Sequence, residues 1–349
     1  MDIEESVNLV MRNTAEVVTL EELREILQTV ESPKAYIGFE PSGFMHIGHI
    51  ICAEKIKDLQ RAGFTVTILL ADWHAHINDK LGGNLENIKI AGNYMRDSFL
   101  ALGVDPGKTK FVFAEELVNS KDYWEKVILV AKNSTLSRIK RTLTIMGRQE
   151  DESESDTSKL IYPCMQVADI FELDVDVAYG GMDQRKAHML ARELREKLGR
   201  KKFVALHTPL LSSLQSTGRM DIADAKMSKS NPDSCIFLHD APEDIRRKMK
   251  KAYCPQKVIE GNPVIEIARH IVFPRFGKLE IVRDEKFGGN LTLNSPEELE
   301  KVFAEDKLHP ADLKAAVADA LVKILESVRE YYSKNGENLE KLKRIKVTR

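Results

Sequence analysis

Residues 36–50 read YIGFEPSGFMHIGHI, and the rest of the chain is organised around them. The apolar alternation of Tyr36, Ile37 and Phe39 predicts a short buried strand. A Pro41-Ser42-Gly43 turn follows, and His46-Ile47-Gly48-His49 opens a helical pattern. That pattern sets Ile47, Ile50, Ile51, Ile56 and Leu59 mostly on one face and ends at Gly63. The two histidines therefore fall where a strand gives way to a helix N-terminus. Free backbone N–H groups and the positive end of the helix dipole collect there and suit a phosphate. The i, i+3 spacing sets both imidazoles on one side of the first turn. Gly48 between them leaves room for a flat ring or a ribose against the backbone. A metal pair fits less well, because the zincin pattern needs i, i+4 spacing with a glutamate between. Ordinary helix-capping histidines stay open as an alternative on these residues alone.

Downstream, strand and helix patterns alternate. TVTILLAD (65–72) is a near-continuous apolar run, as a strand buried on both faces of a parallel sheet requires. Asn84 caps a helix reaching about Leu102 and ended by Gly103. KFVFAE (110–115) reads as a third strand, 121–148 as one long helix, LIYPCMQVADIF (160–171) as a helical stretch, DVAYGG (176–181) as a strand, and 183–198 as a helix. The expected fold is an α/β doubly wound parallel sheet, Rossmann-like, whose ligands bind at the carboxyl ends of strands. No GxGxxG accompanies it. The acidic stretch 150–156 reads as an exposed loop, and 220–234 is polar and aperiodic, as a mobile loop would be. Beyond it the texture becomes helical: 240–243 and 295–298 read as capping boxes with an early proline, residues 3–29 as two short helices, and 309–332 as one long amphipathic helix. The expected organisation is a sheet domain over 1–218, a loop and linker over 219–240, a mainly helical domain over 241–332 and a basic tail over 333–349.

At 349 residues the chain suits about two domains, and its 43% apolar and 30% charged content is that of a globular protein. No apolar run approaches the roughly 20 residues of a membrane span. The acidic start MDIEESVNLV lacks the layout of a signal peptide. Cys52, Cys164, Cys235 and Cys254 stand alone, which argues against a zinc site or a disulfide framework and for a cytoplasmic protein. A net charge of −2 does not mark a nucleic-acid binder, but charge is locally concentrated in Arg138, Lys140, Arg141 and Arg148, in 246–251, and in 341–349. Each patch reads either as a solvated helix face or as part of a phosphate-binding surface.

Lys226-Met227-Ser228-Lys229-Ser230 lies in the polar loop. Lysines on a loop that closes and opens suit a triphosphate whose pyrophosphate departs. The strand–HIGH–helix unit together with KMSKS resembles the class I aminoacyl-tRNA synthetases. Within them, about 1–332 is similar to the tyrosyl-tRNA synthetase family of the archaeal and eukaryotic type, through YIGFEPSG, LLADWHA, IYPCMQVADI, GGMDQRKAHMLAR, KKAYCP, EKFGG and LHPADLK. The resemblance implies a Rossmann-like catalytic domain followed by a helical anticodon-binding domain. It implies that Tyr36 and Asp169 hydrogen-bond the phenolic oxygen of L-tyrosine, while Tyr162, Gln166 and Gln184 hold its α-amino group. Tyr162, Gln166 and Asp169 share one helical face, which suits that assignment and equally suits ordinary packing. ATP, accompanied by Mg²⁺, is implied as substrate, with His46, His49, Lys226 and Lys229 as catalytic groups. Gly38, Glu40, Gly48, Met227, Ser228 and Ser230 are implied to complete the ATP site, with no metal held by the protein itself. For tRNA(Tyr), the resemblance sets Arg141 and Lys186 at the first acceptor base pair and Phe287, His309 and Asp312 at the first anticodon base. It also implies a homodimer, with 121–148 contributing to the interface.

Val118 and Ala168 depart from relatives that carry polar residues at the pocket edge. His74 and His76 alternate after a strand, where a core or pocket-edge role is expected over a metal pair. A tryptophanyl enzyme, another nucleotidyltransferase with HIGH-like histidines, and a non-catalytic RNA-binding paralogue are the competing readings.

Overall fold

The computed structural model describes residues 2–147, 156–215 and 234–345. Lys226 to Ser230 and Arg148 lie outside the described residues. Two compact units divide the chain: Met1–Gly43, Cys52–Pro209 and Glu337–Arg349 form the first, and Phe44–Ile51 and Leu210–Gly336 form the second.

The first unit is built on a six-stranded sheet of β1 (Glu16–Val18), β2 (Lys34–Phe39), β3 (Thr65–Leu70), β4 (Thr109–Phe113), β5 (Val177–Gly181) and β6 (Val204–Thr208). Their order across the sheet is β1-β6-β5-β2-β3-β4. All pair in parallel except β1, which runs antiparallel to β6 with Glu16 opposite His207. The order reverses beside β2, whose neighbours are β3 and β5. A crevice opens at the carboxyl ends of strands at such a switch point. The run at 65–70 behaves as its composition requires, with Ile68, Leu69 and Leu70 fully buried.

Several helices differ from expectation for local reasons. The stretch 121–148 is not one helix. It breaks after Lys121–Lys132, and Thr135 Oγ1 accepts from the Arg138 N–H at 3.2 Å to start Leu136–Thr142 afresh. A 3₁₀ turn, Leu143–Met146, ends it. The expected helix at 183–198 is a 3₁₀ turn, Met182–Gln184, followed by Arg185–Leu194. Residues 3–29 form the two expected helices, Ile3–Met11 and Leu20–Thr29, with β1 between them. Asn84 caps Leu85–Ala101 as expected, accepting from the Asn87 N–H at 3.0 Å. Part of the basic tail packs here: Glu337–Lys343 is a helix burying Leu339 and Leu342, and Asn338 Nδ2 donates to Asp97 Oδ2 at 2.7 Å.

The second unit is mainly helical, with a small antiparallel hairpin of β7 (Leu279–Ile281) and β8 (Leu291–Leu293). The expected 309–332 helix is two, Pro310–Ile324 and Glu326–Lys334, meeting at Leu325. Ser295 caps Pro296–Ala304, while Glu298 reaches the Asn294 N–H rather than that of the cap residue. The box expected at 240–243 is absent. Asp240 Oδ2 instead accepts from the Phe237 N–H at 2.9 Å and from Lys248 Nζ at 2.6 Å, and Ala241 is the cap residue. The 246–251 patch is thereby reduced: Lys248 is buried over the Phe237 ring, and Arg246 and Arg247 pair with Asp319 and Asp244. No helix among the described residues is long and apolar enough to cross a membrane.

Candidate functional site

In the first unit, β2 carries Tyr36 into a fully buried position. A Cβ on Gly38 would stand 2.9 Å from the Tyr36 hydroxyl, so the absence of a side chain two residues on makes room for the phenol. The helix Ser158–Glu172 turns Tyr162, Gln166 and Asp169 to one side, all three buried. Asp169 is braced on both oxygens. Tyr123 Oη donates to Oδ1 at 2.7 Å, and His74 Nε2 lies 3.1 Å from Oδ2 in a close but imperfectly aligned pair.

The electrostatics assign the proton roles. Burial, and then the Asp169 charge, hold the Tyr36 phenol well above its usual range, so it keeps its proton and is a donor. Burial alone would depress His74. The charges of Asp169, Glu40 and Asp72 outweigh that and raise it. The carboxylate of Asp169 thus acts on a neutral phenol through its charge and stands beside a histidine inclined to be cationic. A hydroxyl entering between Tyr36 and Asp169 would find a donor and an acceptor.

The same side of the helix also gathers amides and a second carboxylate. Tyr162 Oη donates to Glu40 Oε1 at 2.6 Å. Glu40 also accepts from Asn78 Nδ2 at 3.0 and 3.1 Å, and Lys80 Nζ is 3.7 Å from its Oε2. Glu40, expected on the ATP side, here braces Tyr162. Gln166 Nε2 donates to Gln184 Oε1 at 3.0 Å, and Gln184 Nε2 donates to Ile145 O and Asp183 Oδ2, each at 3.1 Å. Gln166 Oε1 is left buried without a hydrogen-bond partner among the described residues. An orphaned buried acceptor is costly, and an ammonium group would satisfy it. The five positions Tyr36, Tyr162, Gln166, Asp169 and Gln184 therefore offer one end with a donor and an acceptor for a hydroxyl and another that suits a cation. Val118 and Ala168 belong to the buried apolar cluster that includes Tyr36 and Tyr123. His74 and His76 serve different partners, since His76 Nδ1 bonds Gly83 O at 2.6 Å.

The second unit holds His46 and His49. Their rings lie 4.5 Å apart, and His49 Nδ1 is 3.1 Å from His46 O. The rings stand together, but helical spacing does not place them, because His46 precedes the helix. The helix itself begins at Gly48; His46 forms a bridge with Phe237, and Ile47 N–H donates to Ile236 O at 2.9 Å. A Cβ on Gly48 would come within 2.8 Å of His46 Cε1, so the space expected for a ligand ring is used by His46 itself.

Among residues expected at RNA, Arg141 and Lys186 are exposed on the first unit. On the second, Phe287 is 61% exposed with Lys286 Nζ 4.9 Å from its ring centre, so it is not a core aromatic. His309 caps Pro310–Ile324, accepting from the Ala311 N–H at 3.1 Å, and Asp312 lies in that first turn. Arg283 ties the two regions by donating to Gly289 O and Lys307 O. The patch around Arg138 is partly neutralised by its bidentate pairing with Glu193.

Nothing in the sequence marks Tyr123 or Asn78 for the site. Each acts on a residue far along the chain, and neither sits in a motif.

Residues 28–326 match the family of tRNA synthetases class I (W and Y). The tyrosine–tRNA ligase of Saccharolobus solfataricus is 52% identical over 355 residues, covering 99% of this chain and 97% of that protein. The crystal structure of tyrosyl-tRNA synthetase from Aeropyrum pernix superposes with a TM-score of 0.89 at 48% identity, covering 99% of both chains. That of the Pyrococcus horikoshii enzyme complexed with L-tyrosine gives 0.92 at 45% identity, covering 98% of this chain and 100% of that one.

Proposed function

This chain belongs to the class I tRNA synthetases of the W and Y family, in the archaeal-type tyrosine branch, and we propose how its residues carry out the ligase reaction of that branch. The enzyme is a tyrosine–tRNA ligase. A carboxylate oxygen of L-tyrosine attacks the α-phosphorus of ATP, the bond to the bridging oxygen breaks, and pyrophosphate leaves. A ribose hydroxyl of the terminal adenosine of tRNA(Tyr) then attacks the activated carbonyl, and AMP departs. Neither step needs a side-chain nucleophile. Catalysis is positioning and charge stabilisation.

Tyr36 donates to, and Asp169 accepts from, the phenolic hydroxyl. The supporting observation is the bracing of Asp169 by Tyr123 and His74, with the Asp169 charge helping to keep Tyr36 protonated. Phenylalanine would leave that carboxylate desolvated and unpaired. Gln166 Oε1, Gln184 and Tyr162, the last backed by Glu40, receive the α-ammonium. His46 and His49, with Lys226 and Lys229 of the KMSKS stretch, stabilise the charge developing on the departing pyrophosphate. Gly38, Glu40, Gly48, Met227, Ser228 and Ser230 are assigned to ATP by the family resemblance, and Mg²⁺ enters as the counterion of ATP. Arg141 and Lys186 meet the acceptor stem. Phe287 stacks on the first anticodon base while His309 and Asp312 hydrogen-bond its edge.

The working enzyme is a homodimer. In the first unit an apolar groove of about 430 Å³ is lined by residues that include Trp124, Ile128, Leu136 and Ile161. Ile128 is 63% exposed and Leu136 59%. A second copy of the chain covers this groove. The four cysteines, none of them in a disulfide, support a reducing, cytoplasmic setting.

ATP–pyrophosphate exchange without tRNA, supplied with tyrosine, tryptophan or phenylalanine in turn, tests the reading. Exchange with tyrosine alone is expected. Exchange with tryptophan would overturn the roles given to Tyr36 and Asp169.

A further inference from the structure

Behind the amide end of the pocket runs a polar chain that neither step of the reaction uses. Arg185 Nε donates to both oxygens of Glu16, at 3.0 and 2.7 Å. Glu16 Oε2 is 3.0 Å from His207 Nδ1, an electrostatic contact more than an aligned hydrogen bond. His207 Nε2 meets His188 Nδ1 at 3.0 Å, with the two rings stacked at 25°. Both histidines are completely buried, while the Arg185–Glu16 end is partly open to solvent. Strand pairing builds the link, since Glu16 on β1 stands opposite His207 on β6.

The chain closes on a single turn of backbone. Arg185 directly follows Gln184, and His188 lies one helical turn beyond it. A Cβ on Gly180 would meet Gln184 Cβ at 3.0 Å and His188 Cε1 at 3.2 Å, so both side chains rest on the same bare stretch of β5. Gln184 is thus flanked by two anchors of one network.

The proton positions follow. Glu16 accepts only, so His207 directs its Nδ1 proton there, and its Nε2 accepts from His188 Nδ1–H. Burial holds His188 down at about 3 and holds His207 below its usual value, so both stay neutral near pH 7 in this one arrangement. The same polarity continues in the pocket. Gln184 spends its two amide protons on Ile145 O and Asp183 Oδ2, which aims its oxygen at Gln166 and leaves Gln166 Oε1 as the orphaned acceptor.

We propose that Arg185, Glu16, His207 and His188 form a positioning network that fixes Gln184, and through it the acceptor offered by Gln166, for the α-ammonium group of tyrosine. This rests on the assignment of Gln166 and Gln184 to that group. The four residues act through Gln184 and do not touch substrate.

The test compares tyrosine with 3-(4-hydroxyphenyl)propionate, which keeps the phenol and carboxylate but lacks the ammonium. The KM of tyrosine in pyrophosphate exchange and the Ki of the analogue against it are measured on the full chain. Glu16→Gln and His188→Gln are each expected to raise the tyrosine KM about fivefold to tenfold, the scale of one weakened hydrogen bond, and to leave the analogue Ki within about twofold. Equal loss of both ligands, or no change in the tyrosine KM, overturns the proposal. Should His188→Gln fail to fold, Glu16→Gln at the open end decides between these outcomes alone. Gln184→Ala separates the two levels. If it too weakens both ligands equally, the amide assignment fails and the network role falls with it; if it is selective for tyrosine and Glu16→Gln is not, the network role alone fails.

Discussion

Tyr123 Oη donates a 2.7 Å hydrogen bond to Asp169 Oδ1, joining two buried residues 46 positions apart. It sets the carboxylate that the proposed phenol-reading end depends on. Tyr123→Phe removes the donor and leaves a buried carboxylate oxygen unpaired, a cost of about 1.5–3 kcal/mol. The tyrosine KM in pyrophosphate exchange is expected to rise by roughly tenfold or more, with the KM for ATP little changed. An unchanged tyrosine KM would show that Asp169 needs no such support.

Gly38→Ala tests the space that β2 leaves for the Tyr36 phenol. The added methyl would lie 2.9 Å from the hydroxyl, inside van der Waals contact. Overpacking of this kind costs about 1–3 kcal/mol. The phenol must shift, so kcat/KM for tyrosine should fall about tenfold while the far-ultraviolet circular dichroism stays native. Full activity in the variant would mean that Tyr36 is not held where the substrate needs it.

His188 gives a pH prediction. Its pKa in the fold is held down at about 3 by burial, and then by repulsion from the neighbouring His207 ring should that ring protonate, against roughly 6.5 when unfolded. Between those values the unfolded chain takes up a proton that the native protein refuses. Stability therefore falls as pH drops below about 6.5, by up to ~1.4 kcal/mol per pH unit from this group. Urea unfolding at pH 7.5 and 5.5 should show a shallower loss for His188→Gln than for the parent. Equal slopes would contradict the buried neutral state.

The groove edged by Ile128 and Leu136 gives a prediction about assembly. Replacing each by glutamate sets two charges on an otherwise apolar face. Sedimentation velocity is expected to show a dimer for the parent and a monomer for the double variant. A dimer that survives both charges would place the interface elsewhere.

Much of the fold was legible because its signals are local. The 36–50 stretch announced strand, turn and helix, and 65–70 announced a doubly buried strand. β1 was not legible, since three residues carry no period and its place is set by pairing with β6. The break at 133–135 depended on one capping threonine inside an apolar pattern that reads as continuous. Asp240 illustrates how tertiary structure overrides a local motif, as its carboxylate is taken by Phe237 N–H and Lys248 instead of a helix cap. The pocket positions on 162–169 were visible as a helical face, but what holds them was not. Tyr123 reaches Asp169, and Asn78 reaches Glu40 behind Tyr162, from distant segments, and such contacts leave no mark in spacing.

The most direct measurement is pyrophosphate exchange by the parent and by Tyr36→Phe, each with tyrosine and with phenylalanine. If Tyr36 and Asp169 read the phenolic hydroxyl, the variant should lose about tenfold or more of its preference for tyrosine, through a lower kcat/KM for tyrosine and none lost for phenylalanine. An unaltered preference would contradict the assignment of that pair to the substrate hydroxyl.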